Sequence, residues 1–332
     1  MTSPVTAIPV LPEGTIRPRW SVMIPTFNCA HYLEGSLGSV LAQDPGPGAM
    51  QIAVVDDGSS DDPEAVVARL APRRVEFHRQ PANLGVVHNL TDCIRRSRGE
   101  IVQLLHGDDA VRPGFYETMG QAFDLRPDIG AAFCRQIFIG PDGQWRAISP
   151  LERSDSGVLE DAAAHLAVEQ RIMTPSICVR RAVYEQLGGF HHELLCAEDW
   201  EMWVRIAAHH PVWFEIEPLA LYRMHDDSNT GRNVRTGADI RFTKRAIEII
   251  SGHLPPDRAG QVAARARATY AQSALTIAQD ALRRRDASTA MAQIAGALGL
   301  DRTPRTTMRA AAAVLRGLKG WMSAEHSPRG PR

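Results

Sequence analysis

Three pairs of adjacent acids, Asp56-Asp57, Asp108-Asp109 and Glu198-Asp199, are the residues of this chain best suited to chemistry. Carboxylates gathered in one place hold a hard divalent cation. Magnesium and manganese prefer oxygen ligands, and a bound cation can tie a diphosphate to the protein by bridging the two sets of anions. Asp108 and Asp109 are the candidates for that task, because the apolar stretch Ile101 to Leu105 runs directly into His106-Gly107-Asp108-Asp109. Asp56 and Asp57 end a second apolar stretch, Gln51 to Val55, in the same way. Convergence of all four, with no compensating lysine, would set up strong repulsion unless a cation lay among them. Taken singly, each pair also has a plainer reading. Asp56-Asp57 suits an Asp-Gly turn, Asp108-Asp109 a solvated loop, and Glu198-Asp199 a helix start favoured by the macrodipole.

Strands and helices in alternation must position these acids. Ser21 to Ile24 is a short strand, Pro25-Thr26-Phe27-Asn28 a loop, and Leu33, Leu37, Val40 and Leu41 then recur at helical spacing. Further strands are expected at Gln51 to Val55, Val75 to His78 and Ile101 to Leu105, with helices over Pro63 to Leu70 and Asn89 to Arg96. The pattern predicts an α/β fold: a mostly parallel sheet with helices on both faces and ligands beyond the carboxyl ends of its strands. From Gly130 to Val179 it loosens into short strands, Ala131 to Phe138 and Ile177 to Val179, around a turn at Gly140-Pro141-Asp142-Gly143. A helix starting near Glu198 carries Trp200, Trp203, Val204 and Ile206 on one apolar face.

Beyond Asp239 the chain becomes rich in Ala and Arg at a helical period, enough for about four helices up to Trp321. Ala263 to Leu300 resembles one tetratricopeptide helix pair, below the number of repeats such arrays need, so packing or homodimerisation is its expected use.

Composition narrows the function. Lys and Arg number 37 against 38 Asp and Glu, a net charge of -1 that gives no reason to expect nucleic acid as a partner. Cys29, Cys93, Cys134, Cys178 and Cys196 are odd in number and form no CxxC pair, so neither a disulfide framework nor a thiolate zinc site is expected. A reducing, cytoplasmic setting follows. The first 18 residues look like a tail rather than a signal peptide, and no apolar run is long enough to span a bilayer. Peripheral contact with the inner face of a membrane stays open.

Val22-Met23-Ile24-Pro25-Thr26-Phe27-Asn28, Val54-Val55-Asp56-Asp57-Gly58-Ser59-Ser60-Asp61, Asn83-Leu84-Gly85 and Leu104 to Asp109 together resemble the ordered signature of family 2 glycosyltransferases of the GT-A fold. Gly188-Gly189-Phe190 and Ala197-Glu198-Asp199-Trp200-Glu201-Met202-Trp203 follow in the family's order, and the likeness runs from about residue 20 to 230.

The resemblance implies an inverting enzyme that moves one sugar from a nucleotide diphosphate donor to an acceptor hydroxyl, in the making of a cell-surface polysaccharide or glycoconjugate. It implies a nucleotide pocket lined by Pro25, Thr26 and Asn28, with Asp57 on the base or ribose and Asn83 and His106 among the donor contacts. Mn2+ or Mg2+ would be held by Asp108 and Asp109, Asp199 would be the general base, and His225 would complete the metal shell while Arg223 offsets leaving-group charge. The acceptor would be a glycan, a lipid-linked sugar or a protein. Two positions depart from the family's pattern: His106 stands where the DxD motif usually opens with aspartate, and His88 where a stronger base often precedes the asparagine of the third helix. No Gln-x-x-Arg-Trp motif of processive synthases is present.

The expected organisation is a flexible tail over 1–18, a catalytic domain over 19–238, a helical appendage over 239–322 and a disordered end over 323–332. Within the catalytic domain, 19–129 is the nucleotide half and 130–238 the acceptor half. A nucleotidyltransferase or a dinucleotide-dependent dehydrogenase is disfavoured, because no glycine-rich phosphate loop follows the first strand. The rival from another class is a degenerate glycosyltransferase fold acting as a binding or scaffolding subunit, which His106 alone favours.

Overall fold

The apolar stretch at Ser21 forms a strand over Trp20–Thr26 (β1), buried at every position as a strand covered on both faces must be. After it come α1 (Ala30–Leu41), β2 (Met50–Asp56), α2 (Pro63–Leu70), β3 (Glu76–Arg79), α3 (Val86–Arg96), β4 (Ile101–Leu104) and β5 (Ala110–Val111). The next elements are α4 (Phe115–Leu125), β6 (Ala131–Ile139), β7 (Trp145–Ile148), β8 (Gly157–Val158) and α5 (Ala162–Leu166). A 3-10 turn (Thr174–Ser176) leads into β9 (Ile177–Arg180), α6 (Arg181–Leu187), α7 (Glu198–His209) and β10 (Val212–Arg223). The computed structural model describes residues 4–225 and 229–325. The chain divides into an α/β unit of residues 1–166 and 170–225 and a helical unit of 167–169 and 226–332.

All ten strands join one sheet in the order β3-β2-β1-β4-β9-β6-β10-β5, with β7 beside β6 and β8 beside β10. The β3-β2-β1-β4 run and the β6-β10 pair are parallel, whereas β9 runs antiparallel to both β4 and β6. Because β1 lies between β2 and β4, the loops leaving the carboxyl ends of these three strands start side by side. Leu33, Leu37 and Val40 of α1 share one apolar core with Val22, Ile24, Ile52 and Val54 of the sheet. Burying each such side chain stabilises the fold by about 1.5–3 kcal/mol.

From residue 4 onward, the expectation of a flexible tail over 1–18 is corrected. Val5 bridges His191, Gly189 N–H donates to the Thr6 carbonyl at 2.8 Å, and His192 N–H donates to that of Pro4 at 3.0 Å. Ile8 is buried, and Arg181 donates to the Pro9 carbonyl. The prolines that look like tail composition keep the segment extended, so it exposes carbonyls for the rest of the α/β unit to donate to.

In the helical unit stand α8 (Asn229–Thr236), α9 (Ala238–Ser251), α10 (Pro256–Arg283), α11 (Ala287–Leu300) and α12 (Pro304–Glu325). Its core joins Ala271, Ala274, Leu275 and Ala278 to Ile294, Ala297, Leu300 and Ala310, with the alanines letting the helices approach closely. Gln293 of α11 donates to the Val234 carbonyl at 2.8 Å, so α8, which precedes the expected boundary at 239, packs with this unit. Of the end expected to be disordered, 323–325 closes α12 and 326–332 lies outside the described residues. No helix among the described residues is long and apolar enough to cross a membrane.

Candidate active site

Pro25 and Thr26 end β1, and their carbonyls accept Gly107 N–H at 3.0 Å and Asp57 N–H at 2.9 Å, which ties the two acidic loops to the central strand. Asn28 adopts a left-handed conformation (φ 51°), and its side-chain oxygen accepts Ser60 N–H at 2.9 Å. Asp61 accepts the N–H of Ala30 at 2.8 Å and so supplies the cap that Cys29 does not give to α1. The motif Asp56 to Asp61 therefore braces the loop that carries Pro25, Thr26 and Asn28.

Asp56 is fully buried and accepts the Arg79 guanidinium at 2.8 Å and Ser59 N–H at 3.1 Å. Asp57 accepts Leu84 N–H at 2.8 Å and Gly85 N–H at 2.9 Å, and Asn83 Oδ1 accepts the same Gly85 N–H. Burial raises the Asp57 pKa in spite of these bonds. Gly58 is required between them: its φ is +75°, and a Cβ would lie 3.0 Å from the backbone of Ala82 and Asn83. The four carboxylates thus do not share one charge problem. Asp56 is offset by an arginine and Asp57 by backbone dipoles, which leaves Asp108 and Asp109 as the pair suited to a cation.

One ligand atom each from His106, Asp108 and Asp109 lies within 4.8 Å of the others. His106 Nε2 and Asp109 Oδ2 are both buried with no hydrogen-bond partner, an arrangement that costs stability unless another group satisfies it. A hard cation fits this donor set of one imidazole and two carboxylates. Burial, then the charge of Asp108, raises the Asp109 pKa well above its ordinary value. Burial also acts upward on Asp108, but the His225 hydrogen bond and the charge of His106 outweigh it and bring that carboxyl below its usual value. Burial lowers the His106 pKa.

The structure therefore brings His106 into the ligand cluster. His225 meets it through Asp108, with Nε2 3.0 Å from Oδ2. Arg223, at the end of β10, donates its backbone N–H to Asp109 at 2.8 Å and its Nε–H to the Asp108 carbonyl at 2.8 Å. Its guanidinium carbon sits 4.5 Å from the Tyr32 ring centre, and Tyr32 also faces His225 at 5.5 Å. Tyr32 is a member of this cluster that sequence reading missed; its only signal was a place in the first turn of α1.

Asp199 opens α7 behind Ala197, whose φ of 70° is left-handed without the help of glycine. Thr174 donates to Asp199 Oδ2 at 3.3 Å, and Gln170 donates to the same oxygen. Burial pushes Asp199 up to about 6 against those bonds, and burial with the Asp199 charge pushes Glu198 up to about 8. Gln103 of β4 donates to the Pro175 carbonyl at 2.9 Å, next to Thr174, so Asp199 stands at the same end of the sheet as Asp108. Gly188 and Gly189 serve the frame of α7: Arg205 donates to the Leu187 and Gly189 carbonyls while paired with Glu201. His88 stacks on His192 at 5.6 Å.

The profile described as Glycosyl transferase family 2 matches residues 21–187, half of the chain. The chain belongs to glycosyltransferase family 2. An uncharacterized Mycobacterium tuberculosis protein, MT1568, is 28% identical over 79% of this chain and 85% of its own length. An uncharacterized glycosyltransferase of Rickettsia typhi, RT0329, is 23% identical over 72% and 77%. Among solved structures, S. aureus TarS 1-349 in complex with UDP-GlcNAc is similar at TM-score 0.59 and 17% identity, over 74% of this chain and 70% of that one. The Pyrobaculum calidifontis mannosyltransferase PcManGT in complex with GDP-Man and Mn2+ is similar at TM-score 0.54 and 21% identity, over 92% and 82%. The fold of this glycosyltransferase is GT-A, as its motifs imply.

Proposed function

We propose that this glycosyltransferase moves a single sugar from a nucleotide diphosphate donor to an acceptor hydroxyl with inversion, using Asp199 as general base and His106, Asp108 and Asp109 to hold Mn2+ or Mg2+. The observation that carries the reading is Asp199 itself, a half-buried carboxylate oriented by two side-chain donors and pushed up to about 6, near the pH at which a base is most effective. Asp199 takes the proton of the acceptor hydroxyl as its oxygen bonds to the anomeric carbon; the bond from that carbon to the diphosphate breaks, and the nucleoside diphosphate leaves. A single displacement of this kind inverts the centre.

Pro25, Thr26, Asn28 and Asp57 line the nucleotide side, and Asn83 sets the turn against which Asp57 is held. Bound by its three ligands, the cation supplies the positive charge that a departing diphosphate needs. Arg223 and His225 hold the Asp108 loop in place for it. The acceptor belongs to a cell-surface polysaccharide or glycoconjugate pathway on the cytoplasmic side.

The test is turnover against a panel of nucleotide sugars after metal removal. Chelation is expected to abolish transfer, manganese or magnesium to restore it, and His106→Ala to raise the manganese needed for half-maximal rate by about tenfold or more. Full activity in a stripped enzyme would show that protein groups handle the diphosphate charge. Donor binding without transfer or hydrolysis under every condition would support the scaffolding alternative.

A further inference from the structure

The helical unit carries a surface that the transfer chemistry does not use. On α12, Met308 and Leu315 are 66% and 59% exposed, and with Ala311 they fall at i, i+3 and i+7 on one outward face. Beside that face runs a second stripe, Arg305, Arg309 and Arg316, at i, i+4 and i+11. The inward face is the one that packs, with Thr306, Ala310 and Ala313 buried.

The arginine stripe lacks local compensation. From Arg302 to Ala324 the sequence holds Arg302, Arg305, Arg309, Arg316 and Lys319 and no acid. Among the described residues, no carboxylate pairs with Arg305, Arg309 or Arg316; Arg309 bonds only the neutral side chains of Gln272 and Thr276. Asp301, at the head of the helix, is taken up by the hydroxyls of Thr303 and Thr306. Arg305 and Arg309 border a cavity of about 680 Å³ between α10 and α12 that Thr269, Ser273 and Thr276 line with hydroxyls. A row of unpaired cations next to an exposed apolar ridge, on a helix that cannot span a bilayer, is the pattern of a helix lying in the membrane interface.

We infer that α12 docks this enzyme on an anionic lipid surface, with Arg305, Arg309 and Arg316 on lipid phosphates and Met308 and Leu315 set among the acyl chains. Charge complementarity selects this occupant. A second copy of the chain packed α12 against α12 would place one arginine row against another.

The test is vesicle flotation of the full chain with phosphatidylglycerol-containing vesicles, against phosphatidylcholine vesicles. Each basic residue at such a surface is worth about fivefold in partition. Binding is expected to the anionic vesicles only, to weaken with added salt, and to fall at least about 25-fold in Arg305→Glu with Arg316→Glu. Met308→Ser with Leu315→Ser should also weaken it, whereas soluble glycerol phosphate should compete poorly. Circular dichroism and donor hydrolysis, unchanged in these surface variants, confirm that they are folded. Four results overturn the proposal: equal binding to neutral vesicles, no binding to either, variants that bind as wild type, or a loss of dimer in place of a loss of lipid binding. Retention on an RNA column that the charge reversals abolish, without vesicle binding, assigns the stripe to nucleic acid instead.

Discussion

Replacing Asp199 with asparagine keeps the shape of the side chain and removes its ability to take a proton, so it separates the base from the fold around it. Burial holds Asp199 at about 6 in place of its ordinary 3.8. Ionised base is therefore the minority species below that pH, and at pH 5 only about one-tenth of the enzyme carries it, so kcat there is about tenfold below its plateau. The sign is fixed: turnover rises with pH through about 6, because a raised carboxyl pKa delays the appearance of the base. Asp199→Asn is expected to lower kcat by about 10²- to 10⁴-fold, leave donor KM nearly unchanged and erase the limb near 6. The assay is initial-rate release of nucleoside diphosphate from pH 4.5 to 8.5 with saturating acceptor and metal, for both proteins. A wild-type limb centred near 4, or an asparagine variant that keeps full turnover or the same limb, would refute the assignment. Glu198 would then be the first residue to examine.

Gln170→Leu removes one donor from the Asp199 carboxylate, and since a hydrogen bond to a charged group is worth about 1.5–3 kcal/mol, the limb should move upward by about one unit or more with donor KM unchanged; an unmoved limb would leave Gln170 a structural role only. Glu198, pushed from 4.5 to about 8, favours the folded state when protonated, a contribution present below 4.5 and lost as the pH rises to about 8. Glu198→Gln should therefore raise the melting temperature relative to wild type more at pH 8.5 than at pH 5, and an equal shift at both would contradict the burial argument.

Much of the α/β unit was legible because its signals are local. Apolar stretches that run straight into Asp56-Asp57 and His106-Gly107-Asp108-Asp109 are buried strands ending in loops, since hydrophobic continuity and its abrupt loss are both encoded within a few residues. The helix expected at Pro63 to Leu70 has those ends in the structure, with Pro63 in its first turn and the Asp62 side chain capping Ala65 N–H. The N-terminal segment was not legible: its burial depends on Gly189, Arg181 and His192, far along the chain, and prolines leave no period to read.

The sequence by itself determined the family, the strand ends and the candidate acids placed there, because each is written in contiguous residue types. Which groups face each of those acids was decided only by tertiary structure. Arg79 reaches Asp56 across 23 positions, and Gln170 and Thr174 reach Asp199 across 29 and 25. His106 lies in one cluster with Asp108 and Asp109, its Nδ1 3.8 Å from Asp109 Oδ2, while His225 reaches that cluster from 117 positions away by way of Asp108. A carboxyl's charge state depends on how much water is excluded and which dipoles face it. Both are set by what the packed sheet and helices bring alongside, and neither leaves a pattern in the residues next to it.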